Sequence, residues 1–401
     1  MATSRGRRVV GVDYGTTGTG VAYARHTGGP NTRAHPSVHQ HYTWHGTHSV
    51  ERVPSRIAYR HDNKENSAFE DKDYIWGSEV QPDMWACSWT KLQLDPTALL
   101  SEYDDKDLNI SAQDGIFHLV DGKSADDVIV DYLTPVYKEI LAVLGIEADD
   151  TSASIDFWFP IPVTWPLEAK AAFEKVIERA GFGQRKGDSV NFIPEPEAAA
   201  GAVLLDNPES FHVGDGLLIC DAGGGTVDVA MYIIASPTDW KKLTSFQGGR
   251  CGGATVDSRF YGLMNKWFAK SFAKMPLRHR GPGSALMDQF EDIERNFCKT
   301  DYNSFKLDFS SMPNTAPNKH FVEGSILLTE KDLQSMYDPA IERIIKLIYE
   351  QLQAAHEHSG YSVINKIVLV GGLSESVYLQ QIIKTCFEQP GKMEVAIPDN
   401  P

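Results

Sequence analysis

The chain contains one short pattern twice: an apolar strand, an aspartate, a glycine-rich turn and a second strand. The copies read VVGVDYGTTGTGVAY at 9–23 and LLICDAGGGTVDVAMY at 217–232, so Asp13 and Asp221 stand 208 residues apart. The same offset aligns further pairs, namely Gly15 with Gly223, Val21 with Val229 and Ala22 with Ala230. A pattern repeated at so long a period predicts a duplicated lobe and not a solenoid of short repeats.

The glycines of these turns indicate that some other group comes close to the backbone. Glycine loses more backbone entropy on ordering than other residues, so three in a row weaken a strand and predict a turn. A tight turn of glycine and threonine directs several backbone N–H groups at one spot, which forms a nest for phosphate oxygens. The hydroxyl groups of Thr16, Thr17 and Thr226 add donors, and Asp13 and Asp221 would hold a hydrated Mg²⁺ beside the phosphates. One such turn alone is typical of a plain hairpin, whereas two favour a pair of hairpins that clamp a triphosphate.

A third glycine turn ends a buried strand. The segment IVLVGGLSES at 367–376 predicts a strand up to Gly371 and Gly372, with Ser374 as the cap of the following helix. Thr329 and Asp332 have the spacing of a capping box that opens another helix. Strands alternate with helices elsewhere along the chain, which predicts an α/β fold.

The composition limits the partners and the compartment. The 401 residues include 54 acids and 38 Lys or Arg, a net charge of −16, which argues against nucleic acid or an anionic membrane as the main partner. The five cysteines form no C-x-x-C pair, as expected of reduced thiols in the cytoplasm or the nucleus. We expect neither a signal peptide nor a membrane span, because no apolar segment has the required length.

The three glycine motifs together resemble those of a known family. VVGVDYGTTGTGVAYA, LLICDAGGGTVDVAMY and KIVLVGGLSESVYLQQI resemble the phosphate-1, phosphate-2 and adenosine motifs of the actin/Hsp70 superfamily. VPSRIAY, WTKLQLD and FIPEPEAAAGAVLLD are similar to further Hsp70 segments, and the chain looks most like the divergent eukaryotic Hsp70-like group (HSPA twelve type) that is abundant in fungi. The resemblance covers nearly the whole chain.

The resemblance implies a two-lobed actin-like ATPase fold with a nucleotide cleft between duplicated lobes. Lobe I would span 1–210 with an outer subdomain at about 57–120, and lobe II would span 211–401 with one at about 252–328. Asp399 falls where the family turns into a closing helix, so the chain is expected to end before that helix.

The resemblance also implies a role for each matching residue. Asp13 and Asp221 would orient Mg²⁺ through water. Lys91, which by itself would be read as a solvated surface charge, would reach the γ-phosphate. Glu195 would coordinate metal-bound water, and Asp228 would be the remaining acid near the attacking water. The phosphate contacts would be Gly15, Thr16, Thr17, Gly223, Gly224, Gly225 and Thr226, and the nucleoside contacts would be Glu291, Arg295, Gly371 and Gly372.

Two departures from the family pattern leave the function open. Glu294 stands where a lysine is usual and Cys298 where a serine is usual, so we expect the contacts with adenosine to differ from those of the family more than the contacts with phosphate do. The first hypothesis is a slow Mg-ATP hydrolase whose lobes open and close with ATP and ADP, with possible protein partners or clients. The second is a non-hydrolysing, nucleotide-gated interaction module, and the third is a sugar-type small-molecule kinase.

Overall fold

A computed structural model describes most of the chain. The described residues are 7–25, 37–44, 50–69, 71–94, 102–108, 119–150, 153–206, 208–236, 239–298, 304–310, 312, 319–359 and 363–398. Asp399, on which the expectation of a missing closing helix rests, lies outside them.

The chain divides into two compact units. The first contains Met1–Ala98, Phe117–Ile161 and Trp165–Pro194, and the second contains Leu99–Ile116, Pro162–Thr164 and Glu195–Pro401. These units do not coincide with the predicted lobes, because three segments before residue 210 group with the second unit.

The first unit has a large sheet and a small one. Its strands are β1 (Arg8–Tyr14), β2 (Gly18–Arg25), β3 (Val38–Gln40), β4 (Arg52–Pro54), β5 (Ile57–Tyr59), β6 (Tyr74–Trp76), β7 (Ala86–Cys87), β8 (Ile155–Ile161) and β9 (Ser189–Pro194). In the described residues the large sheet has the order β3-β2-β1-β8-β9, with β4 also paired to β2, and the small sheet has the order β6-β5-β7.

Two helices cover the large sheet of the first unit. They are α1 (Ala125–Leu144) and α2 (Leu167–Arg179). Ser124 starts α1 with a capping box to Asp127, which satisfies backbone donors of the first turn. Strand β8 alternates buried and more exposed residues, and its buried side chains join those of α1 and α2 in one aromatic-rich core. Burial of that apolar surface is the main stabilising contribution to this unit.

The second unit repeats the arrangement with more helices in its described residues. Its strands are β10 (Gly216–Ala222), β11 (Val227–Ser236), β12 (Asp239–Lys242), β13 (Gln247–Gly249), β14 (Ser304–Asp308), β15 (Phe321–Val322), β16 (Ser325–Thr329), β17 (Lys366–Val370) and β18 (Glu394–Ala396). Its helices are α3 (Glu195–Asp206), α4 (Ala254–Phe268), α5 (Lys270–Ala273), α6 (Leu277–Arg280), α7 (Ala285–Asn296), α8 (Glu330–Ser359) and α9 (Val377–Phe387). The described large sheet has the order β12-β11-β10-β17-β18, with β13 paired to β11, and a small sheet has the order β14-β16-β15.

The two large sheets have the same topology. In each, an antiparallel hairpin is followed by a parallel strand beside its first strand and by a second parallel strand beyond. Asp13 lies opposite Gly20 in the first hairpin, and Asp221 lies opposite Asp228 in the second, at matching distances from the turn. The predicted α/β fold and the duplication are confirmed.

The predicted capping box before α8 is also confirmed. The Asp332 carboxylate accepts hydrogen bonds from the Thr329 N–H at 2.8 Å and from the Thr329 hydroxyl at 2.6 Å. Among the described helices, none has the length and apolar character that crossing a membrane requires.

Candidate functional site

The turn of the first hairpin closes tightly beside Asp13. The Gly15 N–H donates to the Gly18 carbonyl at 3.1 Å, which leaves Thr16 and Thr17 at the tip. Within the described part of the chain, the backbone N–H groups of Thr16 and Thr17 donate no hydrogen bond. Two successive unpaired donors are what a phosphate-binding nest needs.

An arginine that the sequence analysis missed lies against this turn. Arg52, on β4, donates from Nη1 to Asp13 Oδ2 at 2.6 Å and from Nη2 to the Gly18 carbonyl at 2.7 Å. Gly15 leaves the space for it, because a Cβ there would lie 2.7 Å from Arg52 Nη2. The Gly-x-Gly spacing of Gly18 and Gly20 on β2 could have indicated such a residue. Two glycines on one face of a strand leave room there for a large side chain from the neighbouring strand.

Lys91 lies beside the same aspartate. It belongs to a 3₁₀ turn, Thr90–Gln93, which is fixed to β1 by a 2.7 Å hydrogen bond between the hydroxyl groups of Tyr14 and Thr90. Lys91 is only 6% exposed, and its Nζ lies 5.7 Å from the centre of the Trp165 ring. Lys91 is therefore not a solvated surface charge, as its residue type alone would suggest.

The charges around Asp13 favour its ionised form. Burial by itself would raise the pKa of Asp13, but the charges of Arg52 and Lys91 and the hydrogen bond from Arg52 bring the pKa below its usual value. The structure thus brings Asp13, Lys91 and the first turn together and adds Arg52 to them.

The turn of the second hairpin is packed against the start of α4. The Gly223 N–H donates to the Thr226 carbonyl at 2.9 Å, which closes the turn. The carbonyl groups of Gly225, Gly223 and Gly224 accept from the N–H groups of Gly252 (3.3 Å), Gly253 (3.1 Å) and Ala254 (2.7 Å). On the carbonyl side of the turn, the group that comes close to the three glycines is therefore the backbone of residues 252–254.

Gly252 is the second residue that the sequence analysis missed. A Cβ at Gly252 would lie 2.5 Å from the Gly223 carbonyl oxygen, which no real contact allows. The N–H groups of Gly224 and Gly225 donate no hydrogen bond to any described residue. The second turn therefore has two successive unpaired donors, like the first.

Three acids surround the second turn. Asp221 is the residue before the end of β10 and lies opposite Asp228 on β11, and Glu195 begins α3. Asp228 is 1% exposed, and its Oδ1 accepts from the Val163 N–H at 3.2 Å. Burial, followed by the charges of Glu195 and Asp221, raises the pKa of Asp228 well above its usual value.

These acids fit a hydrated cation. Asp228 Oδ2 is buried and has no hydrogen-bond partner among the described residues. A positive charge nearby would offset the repulsion between the carboxylates and the cost of burying Asp228. Among the described residues, no three His, Cys, Asp or Glu side chains lie close enough together to bind a metal ion directly.

The glycine turn after β17 lies beside Asp221. Val370 pairs with Asp221, and Gly371 follows with a φ of 88°. A Cβ at Gly371 would lie 2.4 Å from Asp221 Oδ1, whereas one at Gly372 would meet no atom within 4 Å. The prediction that Ser374 caps the next helix is wrong, because its hydroxyl donates to the Val370 carbonyl at 2.7 Å and α9 begins only at Val377.

Arg295, one of the residues predicted to contact the nucleoside, forms ion pairs with acids on α7 and in the predicted adenosine loop. Arg295 donates from Nη2 to Glu291 Oε1 at 2.7 Å and forms an ion pair with Glu375, with Nε 3.0 Å from Oε2. Glu375 lies in the 3₁₀ turn that begins at Gly372, so Arg295 connects α7 to the predicted adenosine loop. The structure thus brings Glu291, Arg295 and Gly372 into one region.

An acidic group lies beside this arginine. Burial and the charge of Glu291 raise the pKa of Asp257 to about 7. Burial, then the charges of Asp257 and Glu291, raise the pKa of Glu294 well above its usual value, against the opposing charge of Arg295. Cys298 follows α7 in a left-handed conformation with a φ of 73°. Both departures from the family pattern therefore lie at the end of α7.

The matches to known proteins agree with this geometry. The family model for Hsp70 protein matches residues 187–400, more than half of the chain. The chain belongs to the Hsp70 family. The resemblance drawn from the three glycine motifs is thereby confirmed.

The Hsp70-family chain is also similar to individual curated proteins. It is 23% identical to heat shock 70 kDa protein 12A of Mus musculus over 98% of this chain and 67% of that protein. It is 27% identical to heat shock 70 kDa protein 12A of Homo sapiens over 43% of this chain and 28% of that protein. The chaperone protein DnaK of Thermoplasma volcanium is 25% identical over 51% of this chain and 31% of its own length. The chain thus spans about two thirds of the mouse relative and matches smaller parts of the others.

Proposed function

We propose that this Hsp70-family chain binds Mg-ATP and hydrolyses it slowly to ADP and phosphate. The observation that carries the proposal is the pair of equivalent hairpin turns. Each turn follows a strand whose last residue but one is an aspartate, and each has two successive backbone N–H groups that have no acceptor among the described residues. Phosphoryl transfer needs positioned donors and charges more than covalent chemistry, so such turns suit it.

The acids of the second unit would carry out the proton chemistry. Asp221 is placed to hold the metal through water, and the metal when bound would neutralise phosphate charge. Glu195 and Asp228 would orient the attacking water. A carboxyl group with a raised pKa, like that of Asp228, is suited to accept a proton from that water.

The cations of the first unit would act on the phosphates. Lys91 is buried and therefore held in one place, so its ammonium group would meet developing charge on the γ-phosphate without reorganising. The amides of Thr16 and Thr17 would bind phosphate oxygens.

Family membership supports the remaining parts of the proposal. Opening and closing of the lobes with nucleotide state and the binding of protein partners or clients are taken over from the resemblance to Hsp70 proteins. A cytoplasmic location is supported by the five cysteines, all of which are unpaired.

Calorimetry followed by a turnover assay tests the proposal. We expect purified protein to bind Mg-ATP and Mg-ADP, and labelled ATP to yield ADP and phosphate in single-turnover conditions. Asp221→Asn should weaken Mg-ATP binding. The control is Asp292→Asn, which makes the same change at an exposed acid on α7 and should leave the affinity unchanged. Failure of the wild-type protein to bind either nucleotide would overturn the proposal.

A non-hydrolysing, nucleotide-gated module is the second candidate. It is favoured by Glu294, which adds negative charge where the family has a lysine, and by the Arg295–Glu375 ion pair, which occupies the arginine. Binding without turnover would support this candidate. Transfer of the label to a sugar would instead support a kinase.

A further inference from the structure

The two hairpins differ in one row of three residues across their strands. In the first unit the row runs from Asp13 through Gly20 to Arg52. In the second unit, the corresponding row runs from Asp221 through Asp228 to a glycine, Gly248. Because the sheets share one topology, the members of each row occupy equivalent positions.

Each row leaves space for one large side chain. A Cβ at Gly20 would lie 3.7 Å from Arg52 Nη1, so the arginine extends over the glycine. A Cβ at Gly248 would lie 2.5 Å from Asp228 Oδ1, so here the acid extends over the glycine. The glycine and the large residue have exchanged strands between the two units.

The exchange changes the charge beside each turn. The first row combines one acid with one arginine and is neutral, and the Asp13 carboxylate already has a cation 2.6 Å away. The second row has two acids, one of them buried with an unpaired oxygen among the described residues. At the first row, Arg52 supplies the cation that neutralises Asp13. At the second row, Asp221 and Asp228 have no such cation within the row, so a bound cation would have to neutralise them.

We propose that Arg52 is a phosphate-binding residue and that Asp13 positions it instead of holding a metal. This inference rests on the proposed function, since it assigns residues within the same nucleotide site. Arg52 Nη2 lies next to the turn whose Thr16 and Thr17 amides are unpaired within the described residues, and its side chain is 48% exposed. A phosphate held by those amides would lie beside the guanidinium, which is well shaped to donate two hydrogen bonds to it.

The proposal reassigns Asp13. Asp13 accepts from Nη1 while the Gly18 carbonyl accepts from Nη2, so the guanidinium is fixed on both sides. Of the two aspartates that the sequence predicted as equal partners of Mg²⁺, only Asp221 then holds the metal, beside the buried Asp228.

Calorimetry with ATP in Mg²⁺ and in EDTA tests the proposal on the full chain. Arg52→Gln should weaken ATP binding about 10- to 100-fold in both buffers, as expected for loss of a charge-assisted contact. Arg52→Lys keeps the charge but not the two-pronged donor, so it should fall between Arg52→Gln and wild type. Arg60→Gln, the same change at an exposed arginine of the first unit, should bind as wild type does.

The ratio of ATP affinity with and without Mg²⁺ separates the two aspartates. Asp13→Asn should keep the wild-type ratio, whereas Asp221→Asn should reduce it towards one. Thermal melts in EDTA confirm that each variant folds, and Arg52→Lys carries the test if Arg52→Gln does not fold. If Arg52→Gln and Arg52→Lys bind like wild type, or if Asp13→Asn lowers the ratio as Asp221→Asn does, the inference is wrong while the proposed function stands. A wild-type protein that binds no ATP overturns both.

Discussion

The carboxylate of Asp105 forms an ion pair with the guanidinium of Arg259, and both side chains are almost completely buried, at 1% and 8% exposure. Asp105 lies in the segment 102–108, and Arg259 lies on α4. A second cation, Arg343 Nη1 on α8, is 3.3 Å from the same carboxylate. These contacts attach the segment to the second unit, although the sequence had placed it in an outer subdomain of lobe I.

Asp105→Ala should lower the free energy of unfolding by about 3 kcal/mol, because it removes the buried carboxylate shared by Arg343 and by Nη2 of Arg259, whose Nε keeps its ion pair with Asp107 at 3.0 Å. Urea denaturation followed by circular dichroism measures the loss. Glu102→Gln is the control, since Glu102 pairs with Lys346 at 2.5 Å on the surface, where solvent screens the pair and its loss should change the free energy of unfolding far less than the loss of Asp105 does. Equal losses in the two variants would contradict the structural role of Asp105.

Gly252→Ala should displace the second phosphate turn, because the added Cβ would lie 2.5 Å from the Gly223 carbonyl oxygen. We expect a lower melting temperature and weaker Mg-ATP binding. Gly253→Ala is the matched control, because the atoms nearest to its added Cβ, in Gly224, would be 3.9 Å away. Melting curves and calorimetry of both variants decide the matter, and unchanged behaviour of Gly252→Ala would show that the turn tolerates the shift.

Local features were predictable because a short stretch of sequence contains their whole cause. The capping box of Thr329 and Asp332 needs only residues three apart, and the hairpin with Asp221 needs only its glycine turn. The aspartates and turns of both hairpins could thus be placed from motifs.

Long-range contacts were not predictable from the pattern of residues. Asp105 meets Arg259 across 154 positions, and Asp13 meets Arg52 across 39. Such pairings depend on how the sheets and helices pack against one another. A single sequence does not show which distant residues that packing brings together. Ser374 was misread for a related reason, since a 3₁₀ turn after Gly371 shifts the start of α9.

Asp228→Asn should stabilise the protein increasingly as the pH rises. The pKa of Asp228 is raised in the folded state, so the folded protein binds this proton more tightly than the unfolded chain and loses stability above the ordinary carboxyl pKa. The asparagine has no proton to lose and keeps an oxygen for the Val163 N–H. We expect melting temperatures a few degrees above wild type at pH 7.5, with the difference shrinking towards pH 4.5. A difference that is constant with pH, or that grows on acidification, would count against the burial argument.

Glu294→Lys should strengthen Mg-ATP binding by up to about tenfold, because it replaces one of three neighbouring carboxylates by a cation. Asp257 and Glu291 would then face an opposite charge instead of a like one. Asp292→Lys makes the same charge change at an exposed position of α7 and should have little effect. Calorimetry compares the two variants, and equal gains would attribute the effect to net charge and not to the site.

Lys91→Ala should reduce hydrolysis more than binding. Lys91 is buried beside Trp165, so its ammonium group is held in place before the phosphates arrive. Its charge lies close enough to Asp13 to lower the pKa of that carboxyl group. Removing one preorganised donor of developing charge costs about 10²–10³ in rate, whereas ground-state contacts with the nucleoside remain. Single-turnover rates and calorimetric affinities should therefore diverge in Lys91→Ala. Lys123→Ala is the matched control, because Lys123 also lies near an aromatic ring, that of Tyr59, but pairs with Asp131 instead of an acid of the phosphate turn. If Lys91→Ala loses rate and affinity in equal proportion, Lys91 acts in ground-state binding alone.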